Sequence, residues 1–235
     1  MFINVQTAQS IIALITFLVA YCVSVTCAGF FKAFVALKMG DDTPAEYGYL
    51  TLNPMAHIDL LGTFFLLVYK FGWSNFIPIN PDNIRGSFRG IKIVITYLSN
   101  SIAHFCLAVI SLIALLFLFA DKGILDNLLK YLLTPHALAQ AYPQASSYIF
   151  SIGLILISLL IVNMILAVIS FFVDMCGLII RIILERNPHY AAYSSFIMIA
   201  VPLALYFLLG PTLIIMTFVL IQKIGYFLVA FLPFF

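Results

Sequence analysis

Charge is scarce in this sequence. Only 9% of its 235 residues are Asp, Glu, Lys or Arg, against about 25% in an ordinary soluble domain. Charge-free runs cover 1–31, 93–120, 131–173 and 187–222, each longer than the ~20 apolar residues that cross a bilayer as a helix. With 64% of the chain hydrophobic, a soluble globular domain is excluded, because one aqueous core cannot enclose that much apolar surface. A run of Lys or Arg is also missing, and a net charge of +2 offers no footprint for a nucleic-acid backbone, so nucleic acid is excluded as a partner. The bilayer is the one partner that composition implies.

Cysteine is sparse as well. Cys22, Cys27, Cys106 and Cys176 lie in or near apolar runs without C-x-x-C spacing, which excludes a disulfide framework and a cysteine metal site. They read as small core residues. No basic segment precedes the first apolar stretch, so a cleaved signal peptide is not expected and the first helix is retained.

What is present is an all-α polytopic integral membrane protein in one domain, 1–235, with about five (four to six) transmembrane helices. The first helix is expected over 8–38, ended by Gly40, Asp41, Asp42 and Pro44. An irregular or β-like insertion follows over 41–59, where Tyr47, Tyr49 and Leu52 alternate around Gly48 and Asn53-Pro54. Residues 60–73 are a short apolar segment, and 74–90 a polar loop rich in Pro, Asn and Gly. Helices are expected over 91–120 and 148–185, joined by the polar connection 121–147. The last apolar region, 193–235, contains Pro202 and Gly210-Pro211, which should kink or split it. Lys70, Arg85, Arg89, Lys92, Arg181 and Arg186 outnumber Lys122 and Lys130, which Asp121 and Asp126 offset. Loops 70–92 and 181–193 are therefore expected in the cytoplasm, in a bacterial-type plasma (inner) membrane.

The polar residues of 51–85 are ordered. The stretch Thr51-Leu52-Asn53-Pro54 leads to His57-Ile58-Asp59 and Gly62-Thr63, then to Gly72-Trp73, Pro78, Asn80-Pro81-Asp82-Asn83 and Arg85. In this order and spacing the segment resembles the bacterial short-form site-2 proteases, zinc metalloproteases that cut peptide bonds within the membrane. Ala33-Phe34-Val35-Ala36-Leu37-Lys38-Met39-Gly40-Asp41 resembles the tail that follows their first zinc motif. The resemblance is strong from Ala33 to Arg85 and weaker beyond Ser99, where Thr96-Tyr97-Leu98-Ser99-Asn100 and the run from Asn163 to Ser170 echo later motifs.

Such an enzyme needs H-E-x-x-H: two histidines one helical turn apart to hold zinc, with the glutamate as general base. On the register that the resemblance implies, those positions hold Ala28, Gly29 and Lys32, and the later aspartate ligand becomes Leu178. Neither alanine nor glycine offers a ligand or base, and an ammonium repels a dication. The resemblance thus implies a degenerate member, a pseudoprotease with no catalytic residue and no cofactor. Its Asn53, Pro54, His57, Asp59 and Gly62 form a structural motif.

Other readings stay open. His57, Asp59, Asp82, His104 and Asp174 are the remaining ligand types for a relocated zinc site in an active metalloendopeptidase, while His136 and His189 fall in loops. Asn80, Pro81, Asp82 and Asn83 are candidates for holding an unwound substrate strand, or else satisfy their own loop. Single-pass membrane proteins are the expected partners, and a structural subunit of a membrane complex is a further alternative. Oligomeric state is undetermined. Lys32, deep in an apolar helix, would cost several kcal/mol unless paired. Asp174, four residues before Leu178 on the same helix face, is the candidate counter-charge.

Overall fold

The computed structural model describes residues 5–69, 72–118, 147–187, 189 and 191–230. The expectations for Lys70, for most of the 121–147 connection with Lys122, Lys130 and His136, and for 231–235 lie outside these residues. Seven helices are described: α1 (Val5–Met39), α2 (Thr43–Glu46), α3 (Pro54–His57), α4 (Leu60–Tyr69), α5 (Arg89–Leu118), α6 (Ser147–Arg186) and α7 (Ala191–Ala230). Four contain segments long and apolar enough to cross a membrane, at Leu14–Met39, Arg89–Leu118, Ile152–Leu184 and Leu203–Ile224. The chain is an all-α polytopic membrane protein.

The buried side of α1 recurs at helical spacing, with Tyr21, Val25, Ala28, Lys32 and Ala36 on one face. Small residues there let the backbones approach, as helices do in lipid. Ala20, Tyr21 and Val25 pack with Leu66 of α4 and with Val162 and Leu166 of α6. A second cluster joins Ala108, Leu112, Leu115 and Leu116 of α5 to Ile157, Leu160 and Met164 of α6 and Ile221 of α7. α5 and α6 share the largest contact, and α7 is the least buried of the four spans.

The insertion after α1 differs from its β-like expectation. Among the described residues no strand forms; a single antiparallel bridge links Ile58 and Ser74, and the segment is built from the single-turn helices α2 and α3. Each has proline in its first turn, where the missing N–H costs nothing. Asn53 caps α3 by accepting from the Met55 amide at 3.1 Å. Local capping outweighs the alternation of Tyr47, Tyr49 and Leu52.

α4 has 10 residues and is about 15 Å long, half of the ~30 Å hydrocarbon core. Its Leu66 packs on Ala20, Tyr21 and Val25 of α1. His57 packs on Gly29, the Tyr21 hydroxyl donates to Trp73 O at 2.7 Å, and the Asn75 amide donates to His57 O at 2.8 Å. Gly62 and Gly72 make the crossing possible, since a Cβ on Gly62 would strike the Trp73 backbone and one on Gly72 the Gly62 carbonyl. The Asn80 amide then donates to Asp41 at 2.8 Å, so 41–80 leaves and regains the same end of α1 as a re-entrant hairpin.

The C-terminal region does not split: α7 continues through Pro202 and Pro211 to Ala230. Each proline deletes one ladder hydrogen bond, a loss that membrane helices accommodate locally.

Candidate functional site

Nine polar residues of the spans gather into one seam where α1, α5 and α6 meet. On α6, Asn163, Ser170 and Asp174 recur at i, i+7 and i+11; on α5, Tyr97, Asn100, Ser101 and His104 occupy two turns; on α1, Ser24 and Lys32 lie eight residues apart. These spacings put each set on the helix face turned toward the other two. All nine residues are buried.

At one end of the seam, Lys32 Nζ lies 2.6 Å from Asp174 Oδ1 and donates to Tyr97 O at 3.2 Å. The other carboxylate oxygen, Oδ2, accepts from the Ser101 amide at 3.4 Å. Both charged side chains are 5% exposed or less, so each charge is neutralised inside the fold and not by water. Midway, Asn100 Nδ2 donates to Ser170 Oγ at 3.0 Å. At the far end His104 Nδ1 sits 2.9 Å from Asn163 Oδ1, and Asn163 Nδ2 donates to Ser24 Oγ and to Leu159 O, both at 2.8 Å. The Leu159 carbonyl requires an N–H donor, which orients the amide and places the imidazole proton on Nδ1. His104 Nε2 and Asn100 Oδ1 are then bare acceptors with no partner among the described residues.

The positions of the expected zinc motif lie on this seam. Ala28 is fully buried between Ser24 and Lys32 on the inward face. Gly29 carries the ring of His57 against its backbone: a Cβ there would collide with Nδ1, Cγ and Cε1 of that ring. His57 Nε2 donates to Thr51 O at 2.8 Å, which leaves Nδ1 bare and buried. The room that a base side chain at Gly29 would need is filled by the imidazole. Leu178 is half-buried one turn beyond Asp174.

These residues do not fit a zinc ion. The ammonium of Lys32 stands at one expected ligand position, Ala28 and Leu178 carry no donor atom, and among the described residues no three His, Cys, Asp or Glu side chains gather. His57 and Asp59 serve the hairpin: Asp59 Oδ1 accepts from the Gly62 amide at 2.5 Å, and Asp59 O accepts from the Thr63 hydroxyl at 2.7 Å. His104 faces Asn163, which leaves it with no second ligand of its kind.

The side chains of Asn80, Asp82 and Asn83 bond within the protein, with Asp82 on the exposed side of the loop. Asn80 Oδ1 accepts from the Asp82 amide at 3.2 Å, and Asn80 Nδ2 reaches Asn83 Oδ1 at 3.4 Å. Asn83 Nδ2 donates to Asp41, Asp42 and Thr43 at 3.2–3.3 Å. Asp41 is buried and anchors the hairpin by accepting also from the Thr43 and Asn80 amides. It is held there by Gly40, whose left-handed φ of 105° ends α1. Asp82 receives Arg181 Nη2 at 2.9 and 3.0 Å and Arg89 at 3.4 Å, tying the loop to α6. Pro81 is buried beneath it. The irregular backbone of 76–79, by contrast, makes no hydrogen bond among the described residues.

Comparison with known proteins is partial. A segment of 58 residues, 25% of this chain, is 50% identical to the protein named "Putative zinc metalloprotease YwhC" of Bacillus subtilis (strain 168). The match spans about a quarter (26%) of that relative's length. No family model matches the chain, and no solved structure matches it. The similarity supports a metalloprotease-like ancestry over that segment.

Proposed function

We propose that this chain is a degenerate site-2-protease-like membrane protein that binds transmembrane segments without hydrolysing them. Peptide hydrolysis by this chemistry needs a Lewis acid and a general base at the scissile carbonyl. The observation that carries the reading is the replacement of both: Lys32 Nζ lies 2.6 Å from Asp174 at an expected ligand position, and His57 covers Gly29 at the expected base position. An interhelical ion pair stands in for the metal clamp between α1 and α6.

Binding needs only an edge and a cleft. The unpaired backbone of 76–79, with Phe76 outward and Ile77 inward, supports capture of an extended segment by strand addition. Asn80 and Asn83 support the edge by fixing the turn that follows it, and do not themselves reach outward. The excess of basic residues near 85–92 and at Arg181 supports a cytoplasmic position for that end in a bacterial-type plasma membrane.

A structural-subunit reading draws on the same side chains. The Asn80 side chain bonds the Asp82 amide and Asn83, Asn83 bonds Asp41, and Asp82 pairs with Arg89 and Arg181, as expected of a loop whose purpose is its own rigidity.

The test is zinc analysis of the purified, detergent-solubilised protein together with crosslinking from a photoreactive residue at Ile79 to a co-reconstituted single-span helix containing a Gly-Pro break. Less than about a tenth of an equivalent of zinc, crosslinking and no cleavage support binding without hydrolysis. Absence of crosslinking favours the structural reading. A full zinc equivalent with cleavage overturns both.

A further inference from the structure

We infer that residues 85–92 form a docking surface for anionic phospholipid headgroups in the leaflet at the α1 C-terminal end of the bundle. Phe88 carries the argument. Its φ of 60° lies in the left-handed region that a bulky residue rarely adopts, and it is the only non-glycine among the described residues to do so. Yet its side chain is 77% exposed, so packing within the protein does not account for the conformation. Strain of this kind persists where the surroundings hold a residue for use. Ile91 and Phe76 are also exposed.

Three cations occupy the same eight residues: Arg85, Arg89 and Lys92, with no Asp or Glu between Asp82 and Asp121. Their tasks differ. Arg89 braces the loop, donating to Ile84 O at 2.9 Å, Pro81 O at 3.0 Å and Asp82. Lys92 gives one donor to Arg85 O at 3.1 Å and keeps two. The Arg85 guanidinium is exposed and bonds no described residue. Of the acids at this end, Asp82 is shared by Arg89 and Arg181, Asp41 and Asp42 accept from the neutral amide of Asn83, and Glu46 ends α2. Arg85 and Lys92 are the cations of 85–92 that pair with no carboxylate among the described residues.

An outward aromatic ring flanked by two cations that pair with no described carboxylate, at the mouth of a membrane-spanning helix, matches one chemistry: a phosphodiester joined to acyl chains. A choline lipid brings its own cation, and free phosphate brings no chain for Phe88 and Ile91 to meet. The surface is independent of whether the chain hydrolyses peptides.

The experiment uses the full chain in nanodiscs of equimolar phosphatidylglycerol and phosphatidylcholine, with the lipids that remain bound counted by native mass spectrometry. The wild type is expected to retain phosphatidylglycerol preferentially, and R85Q/K92Q to lose on the order of fivefold of that preference per charge. F88G should also lose retained lipid while raising the thermal midpoint, since glycine relieves the left-handed backbone. K223Q, toward the other end of α7, should change nothing. Equal retention of the two lipids by the wild type, an unaltered preference in R85Q/K92Q, an equal loss in K223Q, or displacement of the lipid by soluble glycerophosphate would each overturn the inference.

Discussion

Lys32 on α1 and Asp174 on α6, 142 residues apart in the chain, place ammonium and carboxylate 2.6 Å from one another in a site closed to water. The pair joins the first span to the third, and Tyr97 O and the Ser101 amide add α5 to the same contact. Removing one partner leaves an unmatched charge inside the bundle.

Lys32→Met and Asp174→Leu should therefore each cost about 3–5 kcal/mol, whereas the double variant should regain most of the loss. Unfolding in mixed micelles titrated with SDS provides the cycle. Equal and additive losses in the singles and the double would mean that the two charges act independently.

Gly29→Ala pushes a methyl group into the His57 ring. A loss of about 1–3 kcal/mol is expected, as for other overpacked sites, and His57→Ala in the same chain should restore it. Gly29→Glu, which rebuilds the expected base, should be worse than alanine. A zinc equivalent or hydrolytic activity in Gly29→Glu would contradict the account of the covered site.

Asn163→Leu strips His104 and Ser24 of their shared partner. Two buried polar groups then lack one bond each, at about 1–3 kcal/mol apiece. His104→Phe should cost less than Asn163→Leu, because it also removes the Nε2 acceptor that has no described partner. Amide exchange along α5 and α6 reports the difference, and the opposite ranking would rule out the orientation assigned to Asn163.

Asp41→Ala unties three donors from the hairpin at once. Limited proteolysis within 74–88 should accelerate at least tenfold with little change in the unfolding midpoint, the signature of local opening. Arg181→Gln breaks a more exposed pair with Asp82 and should cost no more than about 1 kcal/mol. If Arg181→Gln opens the loop as readily as Asp41→Ala, the anchor lies at α6 and not at α1.

Much of the architecture is legible in residue type alone. Each of the four charge-free runs overlaps one of the four long helices, because bilayer thickness sets a length that sequence must honour. Lys32 announces its need for a counter-charge, since a lone ammonium there is costly. The far end of the seam is harder to see: His104 reads as a spare ligand and Asn163 as part of a weak motif until Ser24 is set beside them. Its signal is the recurrence of Asn163, Ser170 and Asp174 on one face of an otherwise apolar helix. The insertion misleads because Pro44 and Pro54 start single helical turns that are too short for any periodicity to register. The contact of His57 with Gly29 has no local trace at all, as it depends on a hairpin closing over 28 residues of chain.

The seam also fixes an order of events during synthesis. At about 5–20 residues per second, the 142 residues between Lys32 and Asp174 take roughly 7–30 s to appear. For that interval α1 carries an unneutralised ammonium, and Ser24 waits over a similar span of 139 residues for Asn163. Lateral release of α1 into lipid before α6 arrives would strand the charge in hydrocarbon. The expected outcome is that the nascent first helix stays beside the insertion machinery until the third span emerges, so that a ribosome paused between α5 and α6 should leave a chain recoverable from that machinery by crosslinking at Lys32; a chain already released into lipid would contradict it.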